Sequence, residues 1–185
     1  MKRILGTFAL LLGCLGFALP SARADYDIFM QITGVTGEST DANHKGWIDV
    51  LSFSHGLSNA GAGVIGGGGG GGGSKPNHAD FALAKKLDKS TLPMFLKVNQ
   101  GTRTPTVIVE FQKSGVTPVV FYRVTMSEVA ITSVSTAGSA GGGEVSDNLS
   151  IAYKKIAWEY WPIDASGKVG PVVRSEWDLT TNTGK

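Results

Sequence analysis

Hydrophobic and polar residues alternate with a period of two along much of the chain after residue 25. The clearest stretches are residues 26–32, 106–112 and 120–127. In the first of them the apolar positions are Tyr26, Ile28, Met30 and Ile32. Alternation of this kind, with β-branched and aromatic residues, is typical of strands that bury one face. The pattern predicts an antiparallel sheet that is packed on one side.

The alternation changes phase near the C-terminal end. Apolar residues at odd positions from Leu149 to Tyr153 set one register, and those at even positions from Ile156 to Tyr160 set the other. One extra residue in a strand forms a β-bulge, and bulges bend strands. We therefore expect one long bent strand here, which serves two sheets at a corner of a barrel.

One stretch predicts an α-helix instead. Ser90 is a candidate N-cap, Pro93 suits the first turn, and Gly101 suits the end. The apolar residues at helical spacing are Leu92, Phe95 and Leu96. Because so short a helix is unstable alone, we expect this apolar side to dock on the sheet.

The first 24 residues predict a secretory signal peptide. Lys2 and Arg3 precede an apolar run, and Ala22-Arg23-Ala24 has the small-x-small form of a cleavage site. Cleavage after Ala24 would leave residues 25–185 as a secreted or periplasmic protein, with no stable insertion in the membrane. Cys14 leaves a lipidated form open, because Leu11 to Cys14 loosely resembles a lipobox. The apolar run continues past Cys14 and favours simple cleavage.

Removal of the leader changes the charge and the cysteine count. The 17 basic residues lose Lys2, Arg3 and Arg23, so 14 remain against 15 acidic residues and the formal charge moves from +2 to −1. A mature chain without a concentrated basic face argues against nucleic acid as a partner. It also has no cysteine and hence no disulfide, so burial must hold it together as a single domain, residues 25–185.

Eight consecutive glycines, residues 66–73, raise the question of a phosphate-binding loop. A P-loop ends in Gly-Lys-Ser/Thr before a helix, whereas this run continues as Ser74-Lys75-Pro76. Glycines lose much backbone entropy on ordering and bury no side chain in return. We expect a mobile surface loop inside the single domain.

No set of residues predicts catalysis or a cofactor. The G-x-S-x-G motif of serine hydrolases is absent. The histidines His44, His55 and His78 lack metal-ligand spacing, and we expect each to face solvent or make one hydrogen bond. The tryptophans suit a core or an interface; they are Trp47, Trp158, Trp161 and Trp177. One alternative stays open, a monomeric exported β-domain that binds carbohydrate or another ligand through these tryptophans and loops.

Four segments resemble the haemolysin-coregulated proteins (Hcp), the tube subunits of bacterial type VI secretion systems. They are GVTGESTDANHKGWIDVLSFSHGLS (34–58), KKLDKSTLPMFLKVNQG (85–101), SEVAITSVSTAGSAGGGEVSDNLSIAYKKIAWEYWP (127–162) and GPVVRSEWDL (170–179). They occur in the same order as in that family, and the resemblance extends over essentially all of residues 25–185.

The resemblance implies a mainly β fold, an antiparallel two-sheet barrel with one short flanking α-helix. It further implies a homohexameric ring, stacking of rings into a tube, and partners that include other type VI secretion components and small effector proteins, with no enzymatic activity and no cofactor. It places a subunit-contact loop at Val35, Thr36, Gly37, Glu38, Ser39, Thr40 and Asp41. The leader departs from the family, whose subunits assemble in the cytoplasm. Either the chain serves outside the standard machine or the leader is not functional, and we expect export followed by ring formation outside the cytoplasm.

Overall fold

The computed structural model describes residues 26–60, 75–115 and 117–185. In these ranges the first strands are β1 (Tyr26–Ile32), β2 (Ile48–Ser54), β3 (Leu57–Ser58), β4 (Asn77–His78) and β5 (Phe81–Lys86). The helix α1 (Thr91–Gln100) follows. The remaining strands are β6 (Arg103–Lys113), β7 (Val119–Ala137), β8 (Ser146–Ala152), β9 (Lys155–Tyr160), β10 (Val173–Asp178) and β11 (Thr183–Gly184).

Six antiparallel strands close into a barrel. Their order is β7-β6-β1-β2-β5-β8, and β8 closes the barrel because it pairs with β7 as well as with β5. Strands β9, β10 and β11 extend the same sheet outward from β7. The predicted barrel with one short helix is confirmed. Its sheet is continuous, and closure leaves no open edge among the six barrel strands.

The strand that serves both parts of the sheet is β7. Its first half pairs with β9 from Tyr122 to Ser127, and its second half pairs with β8 from Ala130 to Ala137. Between the two halves Glu128 has a positive φ of 53°. Non-glycine residues rarely adopt this conformation, and here it lies where the strand changes partners.

The expected single bent strand over residues 149–160 is wrong in one respect. The structure divides it into β8 and β9, with a break at Tyr153 and Lys154. The predicted change of phase is real, because Ile151, Tyr153 and Ile156 are all buried. The two short strands pair with successive parts of β7, so the long bent strand is β7 itself.

The inner face of the barrel forms one hydrophobic core. Inward residues of β1, β6 and β7 alternate with outward ones, as the sequence predicts. Core residues with no exposed surface are Met30, Ile48, Met94, Val107, Val109, Val124, Met126, Val129 and Ile151. Tyr26 is 44% exposed and packs at the rim against Phe111 and Phe121.

Helix α1 has the predicted ends but not the predicted docking face. Gly101 ends it with φ of 61°, a left-handed conformation that glycine adopts without strain. Ser90 occupies the N-cap position. The helix docks through Met94, which is fully buried, whereas Leu92 is 72% exposed and Leu96 is exposed as well.

A buried ion cluster joins the start of α1 to the barrel. The Lys85 ammonium, with no exposed surface, lies 2.7 Å from the Asp88 carboxylate and 2.9 Å from that of Asp147. Thr91 and Thr136 donate their hydroxyls to the two oxygens of Asp147, each at 2.5 Å. Every charge in the cluster is therefore paired inside the protein.

The glycine run, residues 66–73, lies outside the described residues, and so does the predicted signal peptide. Strands β3 and β4, on either side of the run, pair with each other as a separate two-stranded sheet. No helix among the described residues is long and apolar enough to span a bilayer.

Candidate functional site

The loop that the resemblance marks for subunit contact connects β1 to β2. We call residues 34–43 the arm. It begins with a turn in which Gly34 has φ of 80° and the Val35 amide donates to the Ile32 carbonyl at 2.9 Å. The tight reversal turns the chain back along the side of the barrel.

The predicted contact residues alternate between buried and exposed positions. Val35, Gly37 and Ser39 face the subunit's own fold and are buried. Thr36, Glu38 and Thr40 are exposed, and Asp41 at the end is half-buried. One side of the arm is therefore committed to its own barrel, and the other side is free to meet another molecule.

Backbone contacts fix the arm against residues 46–47. The Gly37 amide donates to the Gly46 carbonyl at 2.8 Å, and the Ser39 amide donates to the Trp47 carbonyl at 3.0 Å. A Cβ atom on Gly37 would lie 2.1 Å from the Trp47 carbonyl oxygen. Only glycine permits this approach.

A buried histidine anchors the end of the arm. His44 is 1% exposed, and its two ring nitrogens lie 2.8 Å from carboxylate oxygens of Asp41 and Glu110. Each ring nitrogen of His44 therefore lies at hydrogen-bond distance from a carboxylate oxygen, which is an acceptor. The ring also stacks on Phe29, with centroids 4.1 Å apart, and meets Trp47 edge-on.

Hydrogen bonds tie Asp41 to several partners. The backbone amides of Asn43 and His44 donate to one oxygen of its carboxylate. The side-chain amide of Gln112 donates to the other oxygen at 3.2 Å. Partial burial acts to raise the pKa of Asp41, but the hydrogen bonds, first that from His44, outweigh burial and lower it. The carboxylate is thus held ionised opposite His44.

The anchor continues as a ladder of alternating charges across the outer face of the sheet. Glu110 accepts from the Arg123 Nε at 2.6 Å, and Arg123 also reaches Glu159 at 3.4 Å. Glu159 is paired in turn with Arg174. These residues lie opposite one another on β6, β7, β9 and β10.

The ladder keeps Glu159 ionised and places Arg123 against an aromatic ring. The hydrogen bond from Arg174 is the main cause that lowers the pKa of Glu159, and Arg123 contributes. The Arg123 guanidinium also lies 5.3 Å from the centre of the Trp161 ring. We infer that the ladder gives the arm a rigid base that spans four strands.

The surface also carries large apolar side chains that are exposed among the described residues. They are Leu51, Leu57, Leu87, Leu92, Leu96, Val172 and Val173, each 44% to 72% exposed. Single exposed apolar residues are ordinary, but exposed leucines of this number suit a protein that packs against copies or partners.

The prediction for His44 is wrong, because this histidine is buried and contacts two carboxylates, whereas solvent exposure or one hydrogen bond was expected. His55 and His78 fit that expectation, since each makes a hydrogen bond to the Tyr153 hydroxyl, at 2.6 and 3.1 Å. The described residues contain no group of three or more His, Cys, Asp or Glu that could hold a metal ion.

Sequence reasoning missed the charge ladder because its members are far apart in the chain. Glu110 is 66 residues from His44, and Glu159 is 36 residues from Arg123. A signal did exist in the strand pattern. Glu110 and Arg123 occupy polar positions of the two strands predicted over 106–112 and 120–127, and the structure pairs these strands so that the opposite charges face each other.

Comparison with known proteins decides the family. The family model described as "Type VI secretion system effector, Hcp" matches residues 29–160. Protein hcp1 of Pseudomonas aeruginosa is 36% identical over 158 residues, which cover 84% of this chain and 96% of that protein. The chain belongs to the Hcp family of type VI secretion tube subunits.

Solved structures agree with the Hcp assignment. One described as a type six secretion system protein is 30% identical, with a TM-score of 0.80 over 86% of this chain and 99% of that one. Hcp1 from Salmonella typhimurium shares the fold, with a TM-score of 0.70 at 21% identity over 87% of this chain and 99% of that one. The alternative of a carbohydrate-binding monomer has no support from these relatives.

Proposed function

We propose that the mature chain assembles into homohexameric rings that form part of a type VI secretion tube. The observation that carries this proposal is the arm, whose Thr36, Glu38 and Thr40 face outward while the opposite side is fixed to the barrel. Membership of a tube-subunit family supports it. The role is structural, and small effector proteins and other secretion components are its partners.

A closed ring needs two different patches on each subunit, because its contacts run head to tail. The outward side of the arm supplies one patch. Exposed apolar residues at other places on the barrel, such as Leu51 and Leu92, are suitable for the other. The near-neutral mature chain can pack closely with copies of itself without strong repulsion.

Substitutions on the outward side of the arm test the proposal. In the double variant Thr36→Asp/Thr40→Asp, new charges on the proposed contact should convert rings to monomers at concentrations where the unmodified chain is hexameric. Thr180→Asp/Thr181→Asp is the control, because it adds the same two charges at exposed threonines of the turn after β10. Light scattering after size exclusion measures the mass. Hexamers that persist in the arm variant would contradict a contact role for the arm.

We also propose that residues 1–24 are removed as a signal peptide and that residues 25–185 form one domain. The cleavage-site form of Ala22-Arg23-Ala24 supports the first part, and the single hydrophobic core that joins strands from β1 to β9 supports the second. Ring formation would then follow export. N-terminal sequencing of the periplasmic or secreted protein should begin at Asp25, and an intact Met1 in the cytosolic protein would contradict export.

A further inference from the structure

The hairpin of β3 and β4 stands apart from the barrel ladder. Its two strands pair only with each other, in a sheet separate from the nine-stranded one. The Ala79 amide closes it with a bond to the Gly56 carbonyl at 3.0 Å. Such a short two-stranded hairpin is marginal in water and needs contacts with the barrel to keep its place.

One tyrosine hydroxyl supplies a shared contact. The Tyr153 oxygen lies 2.6 Å from His55 Nε2 and 3.1 Å from His78 Nδ1. Tyr153 belongs to the barrel, in the break between β8 and β9, and it is 8% exposed. His55 precedes β3 and His78 lies in β4. The two histidines therefore attach both strands of the hairpin to the Tyr153 hydroxyl.

We propose that these three residues form a pH-sensitive latch, which holds the hairpin on the barrel at neutral pH and releases it in mild acid. A phenol hydroxyl both donates and accepts, so in the docked arrangement that we propose one histidine nitrogen accepts its proton and the other histidine donates to its oxygen. The accepting histidine must be neutral. When both rings are charged, the accepted bond is lost and two cations face each other.

The surroundings favour the neutral pair. Burial lowers the pKa of His55, and the nearby charge of His78 lowers it further. Burial also lowers the pKa of His78. Since both fall below the ordinary value of 6.5, the unfolded or undocked hairpin binds protons more readily than the docked one. Docking is therefore strongest above about pH 6.5 and weakens as the pH falls below it.

Few charges around the latch oppose this effect. Phe81 and Trp158 flank the His55 ring, at 5.2 and 6.3 Å between centroids. The Asp80 carboxylate acts with burial to raise the pKa of Tyr153, which keeps the hydroxyl protonated, and it accepts from Thr132 at 2.6 Å. Glu176 lines the same cleft as His78. Among the described residues, Glu176 pairs with Lys185, and no ion pair joins Asp80 or Glu176 to either histidine.

Release of the latch would open a cleft. The hairpin side contributes Leu57, Pro76 and His78, and the sheet side contributes Trp158 and Trp177, around a space of about 430 Å³. Both indoles are packed partly against the core. Undocking in acid would therefore expose apolar aromatic surface that is covered at neutral pH.

Hydrogen exchange of the full mature chain tests the latch. After correction for the intrinsic pH dependence of exchange, amides of residues 55–60 and 75–80 should exchange roughly tenfold faster at mildly acidic than at neutral pH. Amides of β6 should not change, and they report that the barrel stays folded. Equal corrected rates at both pH values would overturn the proposal.

Two variants assign the effect to the latch. In His55→Gln/His78→Gln the amides can donate and accept without titrating, so exchange should become independent of pH; a retained acid step would refute the role of the histidines. Tyr153→Phe removes the shared hydroxyl and should give fast exchange at both pH values. If Tyr153→Phe kept the protection of the unmodified chain at neutral pH, the shared hydrogen bonds would not be what holds the hairpin.

Discussion

At the scale of single residues, the buried lysine of β5 shows that a charged side chain is tolerated in the core when carboxylates pair with it. Lys85 occupies an inward position of β5, in phase with the buried residues Phe81 and Leu83. Its charge is tolerated because Asp88 and Asp147 surround it. An unpaired buried charge is far more costly than a lost hydrogen bond.

The variant Lys85→Met should lower the free energy of unfolding by about 3–5 kcal/mol, because it leaves Asp147 buried without its cation. Lys86→Met is the matched control. Lys86 pairs with Glu144 at the surface, and loss of an exposed pair costs about 0–1 kcal/mol. Urea denaturation at one fixed protein concentration measures both. Similar losses in the two variants would show that the buried cluster contributes no special stability.

The sequence could predict where Lys85 points but not what it meets. Alternation along β5 puts the side chain inward, while lysine as a residue type suggests the surface. Asp147 lies 62 residues further on in β8, and only the pairing of Lys85 with Asp147 in register brings them together. His44 and Glu110 illustrate the same point for the arm. Local patterns carry no information about partners so distant in sequence.

At the scale of elements, the boundaries of α1 were predictable and its packing was not. Ser90 and Gly101 are local signals, and both mark the ends of the helix, although the Ser90 hydroxyl bonds Asp88 and does not cap a helix amide. The docking face depends on where β7 lies, and the helix turns Met94 toward it while Leu92 and Leu96 stay exposed. The sequence also could not distinguish a strand break from a β-bulge at Tyr153, because both shift the alternation of buried and exposed residues by one position.

The arm offers an element-scale prediction. Gly37→Ala should destabilise the protein by about 1–3 kcal/mol and speed hydrogen exchange in residues 35–41, because the new methyl group meets the Trp47 carbonyl. Gly143→Ala is the control, since a Cβ there meets nothing within 4 Å. If Gly37→Ala were as neutral as Gly143→Ala, the close backbone pairing of the arm would be wrong.

At the scale of the whole molecule, paired carboxylates set the response to acid. Burial acts to raise the pKa of Asp147, but hydrogen bonds, first from Thr136 and then from Thr91 and Lys85, lower it below its ordinary 3.8. Arg174 lowers the pKa of Glu159 below 4.5. These groups bind protons less readily in the folded chain than in the unfolded one.

The free energy of unfolding should therefore fall as the pH drops through 4.5 and 3.8 and below. The stability that these carboxylates contribute is complete above that window. Denaturation curves of His55→Gln/His78→Gln isolate this effect from the histidine step at higher pH. A stability that rises on acidification through the window would contradict the ionised pairs.

In the proposed ring, five copies of the chain complete each subunit. Native mass spectrometry of mature residues 25–185, over a range of concentrations, measures whether they do. We expect a species of six times the subunit mass, and annular particles in negative-stain images of the same sample. A chain that stays monomeric at every concentration, with no ring in the images, would contradict the account.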